Sequence, residues 1–328
     1  PMMHVDTSQE GMTITVHKTL RHSLGMALWL LLCSLWTASV VQAATVTQPV
    51  AYIEGSGNAA LDRHMTNLVS KELDGRVDLV PLEAKHLPVA SGRPVIAIGP
   101  AAFSGLLDKE ITAPIIALLV EKQAIENYLD KTGEQLTAVF YDVPLLRQAL
   151  TGKAILPQAT RVSVLATLDS ADIYEPLIEQ LPAYGLEGRM FIVSSDDQLI
   201  PSLNRALTYG DFVLAGLDDK IYNPRNIKHI LLTAYRRNRI LIGPSQAYVK
   251  AGALASSYAP FTTMAKQTAD YLLAFFETGK LPAPAYPDEY RVEVNQQVAR
   301  SLNIPLPDRE WIAQAVDRFI QEQQEAGE

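Results

Sequence analysis

Residues 211–254 read DFVLAGLDDKIYNPRNIKHILLTAYRRNRILIGPSQAYVKAGAL, and this stretch decides the fold. Phe212 to Ala215 is a short apolar run closed by Gly216. Ile227, Ile230, Leu231, Ala234 and Tyr235 follow at helical spacing. Arg239 to Ile242 is a second apolar run, ended by Gly243-Pro244-Ser245. Strand, helix and strand in that order make one βαβ unit of a parallel sheet. The polar residues Asp218, Asp219, Ser245, Gln246 and Tyr248 cluster just after the two strands. Open α/β sheets hold their ligands at those carboxyl ends, so the stretch also says where to look for a site.

The same pattern extends in both directions. Val50–Ile53, 76–80, 94–98, 114–120 and 136–141 read as strands, with helices over 59–73 and 101–107. The run from Pro114 to Val120 is almost wholly apolar, as a strand covered on both faces requires. A second α/β set follows: a helix over 143–150, strands over 161–166 and 189–193, and a helix over 196–206. Asp169-Ser170 stands where an N-cap is wanted. After the opening unit comes an amphipathic helix over 261–277, stopped by Gly279. A proline-bearing linker, a strand over 290–294 and a helix over 311–324 complete the chain. Two successive α/β sets imply two lobes with a cleft between them.

Composition narrows the function classes. The chain has 328 residues, 48% hydrophobic and 20% charged, enough for two cores. Its net charge of -8 argues against a nucleic-acid partner. Cys33 is the one cysteine, so no internal disulfide forms. His17, Lys18, Arg21 and His22 precede an uncharged stretch from Leu24 to Val41, and Val41-Gln42-Ala43 offers small residues beyond it. Residues 1–43 therefore read as a secretory signal peptide with an upstream extension, Met12 giving the better-sized start, and the expected compartment is the periplasm. An uncleaved anchor and a lipoprotein site at Cys33 are the rival readings.

Four stretches carry a resemblance to a known family: LTGKAILPQATRVSVLATLDS (150–170), DFVLAGLDDKIYNPRNI (211–227), RILIGPSQAYVKAGALASSYAP (239–260) and EVNQQVARSLNIPLP (293–307). In order and spacing they resemble the periplasmic substrate-binding proteins of ABC transporters whose studied members bind aromatic amino acids. The final stretch resembles the family's closing run through Asn295, Ala299 and Pro305. The resemblance implies a type I periplasmic binding fold: two Rossmann-like lobes of parallel sheet flanked by helices and joined by three crossovers. The first lobe is expected from residues 44–140 with 258–288, the second from 141–257 with 289–328. It further implies a monomer that traps a small polar ligand, an amino acid among the candidates, and delivers it to an ABC permease in the inner membrane. A ligand-sensing module for a signalling or outer-membrane uptake system is the alternative. Val120-Glu121-Lys122 stands where family members often carry Asp-Pro, which leaves the ligand open.

The strand ends give the candidate binding residues. Gly55 and Ser56 follow the first strand, Gly99, Pro100 and Ala101 the third, and Glu121 the fourth. Asp169, Ser170, Asp218, Ser245 and Tyr248 follow strands of the second lobe. Free N–H groups at helix starts after Gly55, Gly99 and Asp169 suit an anion. Asp169, Asp218 and Glu121 suit an ammonium, and Tyr248 can stack on a ring or a cation. Plainer roles compete: Asp169 as a helix cap, Asp218-Asp219 as a solvated turn, Tyr248 as packing. Gly55-Ser56-Gly57-Asn58-Ala59-Ala60 also fits G-x-G-x-x-A, but Asp78 lies inside a strand and Glu83 comes late for a ribose contact, so no dinucleotide cofactor is expected. His64, His86 and His229 lack paired metal spacing and no G-x-S-x-G elbow is present, so neither a metal nor catalysis is expected.

Overall fold

The computed structural model describes residues 48–87, 92–109, 111–132, 135–216 and 218–327. The expected signal peptide lies outside the described residues. The first sheet has strands β1 (Val50–Glu54), β2 (Asp78–Pro81), β3 (Val95–Ile98), β4 (Ile115–Val120) and β5 (Leu136–Phe140), all parallel, in the order β2-β1-β3-β4-β5. Its helices are α1 (Ala59–Leu73), α2 (Gly99–Asp108) and α3 (Lys122–Thr132). The second sheet has β6 (Arg161–Ala166), β7 (Glu187–Ile192), β8 (Phe212–Leu214), β9 (Ile240–Ile242), β10 (Ala255–Tyr258) and β11 (Arg291–Val294), in the order β11-β10-β9-β8-β6-β7. Only the β10–β11 pair is antiparallel. The intervening helices are α4 (Leu145–Ile155), α5 (Ala171–Gln180), α6 (Leu199–Tyr209), α7 (Ile227–Arg236), α8 (Gln246–Ala251), α9 (Phe261–Thr278), α10 (Gln296–Ser301) and α11 (Arg309–Gly327).

The opening stretch forms β8, α7 and β9, with β8 and β9 paired in parallel as its spacing demands. Each sheet is covered on both faces. In the first lobe Met65, Ile116, Leu118 and Met264 pack on one side, and Phe103, Ile115, Ala117 and Ile125 on the other. In the second lobe Leu150, Tyr174 and Phe212 pack against Ile312 and Val316, while Leu203, Val213, Ile230 and Leu241 fill the opposite face. α9 returns to the first lobe, where Met264, Ala265 and Leu272 join its core.

Three crossings join the lobes. The chain leaves β5 for α4 after Phe140, leaves β10 for α9 after Tyr258, and returns to β11 after Ala285, which bridges Val139 of β5. Pro144 precedes α4 with φ -49 and ψ 129, so the helix starts at Leu145 and not at Val143.

Four elements escape the sequence reading. β10 reads ASSY, and its buried serines carry no apolar signal. They are satisfied from α4: Gln148 Nε2 donates to Ser256 Oγ (3.0 Å) and Ser257 O (2.9 Å), and Thr151 Oγ1 meets Ser257 Oγ at 2.8 Å. The helices α3, α8 and α10 form where the sequence reading has only loops. Asp169 does not cap α5. It sits in a 3-10 turn, Leu168–Ser170, whose capping box is made by Thr167 and Ser170.

One local irregularity bears on the site. Leu119 has φ +60, and the β4–β5 register shifts between Leu118 and Val120. This is a bulge, one extra residue that reverses the alternation. Ile116, Leu118 and Leu119 pack with α1 and α9, whereas Val120 packs with Ile115 and Ala117 on the other face. The next residue, Glu121, is thereby turned towards the α1–α9 side.

Candidate functional site

The carboxyl ends of both sheets open onto one cavity of about 470 Å³. From the first lobe come Glu121, which follows β4, and His64 of α1. From the second come Gly216 and Asp219 after β8, and Pro244, Ser245, Gln246 and Tyr248 after β9. The crossings supply the remainder: Tyr141, Asp142 and Val143 from the first, Tyr258 to Thr262 from the second, and Arg291 from the third. A molecule in this cavity touches both lobes and the hinge between them.

Its electrostatics are dominated by carboxylates. Asp142 is anchored: its Oδ1 accepts the Lys122 N–H at the start of α3 (2.8 Å) and its Oδ2 accepts the Tyr286 hydroxyl (3.0 Å). Burial still raises its carboxyl above the ordinary range, against the pull of those bonds. Glu121 is raised as well, first by the protein packed around it and then by Asp142 and Asp219. Neither the Glu121 nor the Asp219 carboxylate has a hydrogen-bond or ion-pair partner among the described residues. Tyr141 is 43% exposed on the cavity wall. Arg291, the one arginine lining the cavity among the described residues, lies 3.6 Å from Glu289.

Small residues shape the second-lobe wall. A Cβ at Gly216 would meet the buried Tyr174 hydroxyl at 1.8 Å, and one at Gly243 would meet Tyr248 Cβ at 2.6 Å. Tyr248 is held in place because its hydroxyl donates to the Tyr222 carbonyl. Its ring is therefore both packed and available to the cavity.

Of the residues expected from sequence, Glu121, Ser245 and Tyr248 line this cavity. Gly55, Ser56, Gly99, Pro100, Ala101, Asp169, Ser170 and Asp218 do not. Several have internal duties. The Ser56 N–H and hydroxyl both donate to Asp62 Oδ1 (2.8 and 2.7 Å). Asn58 Oδ1 accepts from Ala60 and Leu61, so these N–H groups at the start of α1 are occupied. Gly99 opens α2 at φ +83, a conformation that favours glycine, with Pro100 in the first turn. Asp169 pairs with Lys220 in solvent. Asp218 is no solvated turn: at 8% exposure it accepts bonds from Thr167, Ser170 and the Lys220 N–H, and ties two loops together.

The sequence reading missed His64, Asp142, Val143, the 258–262 segment and Arg291. Most of them sit on the crossings. The expected lobe boundaries near 140, 258 and 288 already pointed there, because a strand that passes between lobes must border the cleft.

No family model matches the chain, and no curated protein matches it. Solved structures do. The ligand-free, open structure of a substrate-binding protein with adhesive properties from Clostridium difficile superposes with a TM-score of 0.64 at 14% identity, over 81% of this chain and 98% of that one. An ABC domain in complex with L-Trp from Streptococcus pneumonia gives 0.53 at 17% identity, over 79% and 96%. A conserved domain protein from Vibrio cholerae gives 0.53 at 18%, over 80% and 96%. At these identities the likeness establishes the fold. Two α/β lobes, sheets covered on both faces and three crossings make this the type I periplasmic binding fold.

Proposed function

We propose that this type I periplasmic binding fold serves an exported solute-binding protein, which captures a small polar solute between its lobes and delivers it to an ABC permease. The observation that carries the reading is the cavity itself. Glu121, Asp219, Tyr248 and the three crossings reach it from both lobes and the hinge, so a solute there favours the closed arrangement over the open one. Full closure of a mostly open population takes a differential affinity of about 5 kcal/mol. Two or three charge-assisted hydrogen bonds and one stacked ring are of that size. Amino acids belong to the candidate class because the cavity offers carboxylates, an arginine and aromatic rings, and because the Streptococcus pneumonia structure holds L-Trp.

Closure also gives the outlying strand-end loops a place. As the lobes approach, the loops at Ser56 and Gly99 move towards those at Asp169 and Ser170, and the rim they form shuts the cavity from solvent. Capture needs no chemical step. Among the described residues no helix is long and apolar enough to cross a membrane.

Thermal-shift and calorimetric screening of amino acids, amines and sugars tests the reading, paired with small-angle scattering. A binder raises the melting temperature and reduces the radius of gyration. A panel that binds nowhere, with scattering unchanged throughout, refutes solute capture.

A further inference from the structure

Resting on the cleft as a solute site, we infer that the solute is a small organic cation of net positive charge, clasped by Glu121 from one lobe and Asp219 from the other, against the rings of Tyr141 and Tyr248. Among the described residues three carboxylates line the cavity, and only Asp142 of these is spoken for by the protein, through the Lys122 N–H and the Tyr286 hydroxyl. Glu121 and Asp219 have no internal partner among the described residues. Arg291 shares its charge with Glu289, and His64 stands against the Phe261 ring at 6.0 Å between centroids. A zwitterion brings one ammonium and adds a fourth carboxylate. A cation brings the ammonium alone.

The placement of the two free carboxylates on opposite lobes also sets what closure requires. Closing the cleft without a ligand brings Glu121 and Asp219 together as water leaves, and like charges repel more strongly in that drier space. An ammonium between them reverses the sign of the interaction. The β4 bulge contributes by turning Glu121 to the α1–α9 side, so the cation's first contact is fixed by backbone geometry. Tyr141 and Tyr248 line the same cavity, and an aromatic ring there can hold the same charge.

Two matched series test this on the full chain by calorimetry at neutral pH: tryptamine, L-tryptophan and indole-3-propionate; and cadaverine, L-lysine and 6-aminohexanoate. In the series whose carbon skeleton fits, affinity rises with net positive charge, about tenfold or more per step. Glu121→Gln and Asp219→Asn each weaken the best cation about tenfold and do not lower the melting temperature of the ligand-free protein, because neither carboxylate is tied to the fold. The double variant shows a smaller ligand-free radius of gyration than the parent. Binding of L-tryptophan or indole-3-propionate at least as tight as tryptamine overturns the cation assignment and leaves solute capture standing. The same holds if only sugars bind. Failure of every cation, together with an unchanged radius of gyration in the double variant, overturns the assignment outright.

Discussion

Asp218→Asn separates a loop organiser from a ligand contact. The parent carboxylate accepts four hydrogen bonds. Its Oδ2 takes the Thr167 N–H (3.0 Å), the Thr167 hydroxyl (2.8 Å) and the Ser170 hydroxyl, and its Oδ1 takes the Lys220 N–H (3.0 Å). An amide of the same size keeps one acceptor oxygen. Turned towards Thr167 and Ser170, it sets its NH2 against the Lys220 N–H, donor to donor. Three bonds lose the advantage of a charged acceptor, about 1 kcal/mol each, and the fourth, about 2 kcal/mol as a bond to a charged acceptor, is lost. Partial rearrangement reduces that sum, so the expected loss of stability is about 2–4 kcal/mol. Urea unfolding at pH 7 measures it as a lower midpoint at constant slope. Burial works against the ionised form of Asp218, but the bonds from Ser170, Thr167 and the Lys220 N–H outweigh it and hold the carboxyl below the ordinary aspartate range. The unfolded value is about 3.9. Stability from this group is therefore complete above that pH and disappears as the pH falls through the lowered native value. The parent and variant curves converge over that acidic window. A variant as stable as the parent at pH 7, yet unable to bind solute, would refute the reasoning and assign Asp218 to the ligand.

The remaining expectations concern the cavity wall, the hinge and protonation. Gly216→Ala places a methyl group 1.8 Å from the Tyr174 hydroxyl, within a packed core, and lowers stability by about 2–3 kcal/mol in chemical denaturation while weakening solute binding. Arg147→Met removes a 2.8 Å ion pair to Asp317 and a guanidinium 4.4 Å above the Tyr290 ring, and costs about 1–2 kcal/mol by the same assay. Gln148→Leu leaves Ser256 and Ser257 of β10 without their amide partner and costs about 2–3 kcal/mol, with hydrogen exchange rising first at β10. Burial, and then Asp142 and Asp219, raise Glu121, which also faces Tyr141, His64 and Arg291 in the cavity and is followed by Lys122. A cation beside it favours ionisation, so binding at pH 5 releases protons, seen as a calorimetric enthalpy that changes with the buffer's ionisation enthalpy. Without ligand the raised native value acts in the opposite sense, and its contribution to stability grows as the pH falls through it towards the unfolded value of about 4.3.

Sequence by itself determined the architecture. The apolar runs at 114–120 and 212–215, the helical spacing from Ile227 to Tyr235, and the repeated strand–helix order are local patterns, and local patterns report which face of an element is buried. They sufficed for two lobes of parallel sheet and for a cavity at the strand ends. Glu121, Ser245 and Tyr248 were legible because topology alone sends their strand ends to the cleft. Tertiary structure decided which polar groups meet. Asp218 reads like any acidic turn residue until Thr167 and Ser170, some fifty positions earlier, present it with hydroxyls. The serines of β10 read as loop until Gln148 and Thr151, more than a hundred positions away, satisfy them. The Leu119 bulge, which aims Glu121, leaves no mark in an unbroken apolar run. Hydrophobic burial follows from a residue and its near neighbours, whereas a hydrogen bond between distant segments exists only after the chain has closed on itself.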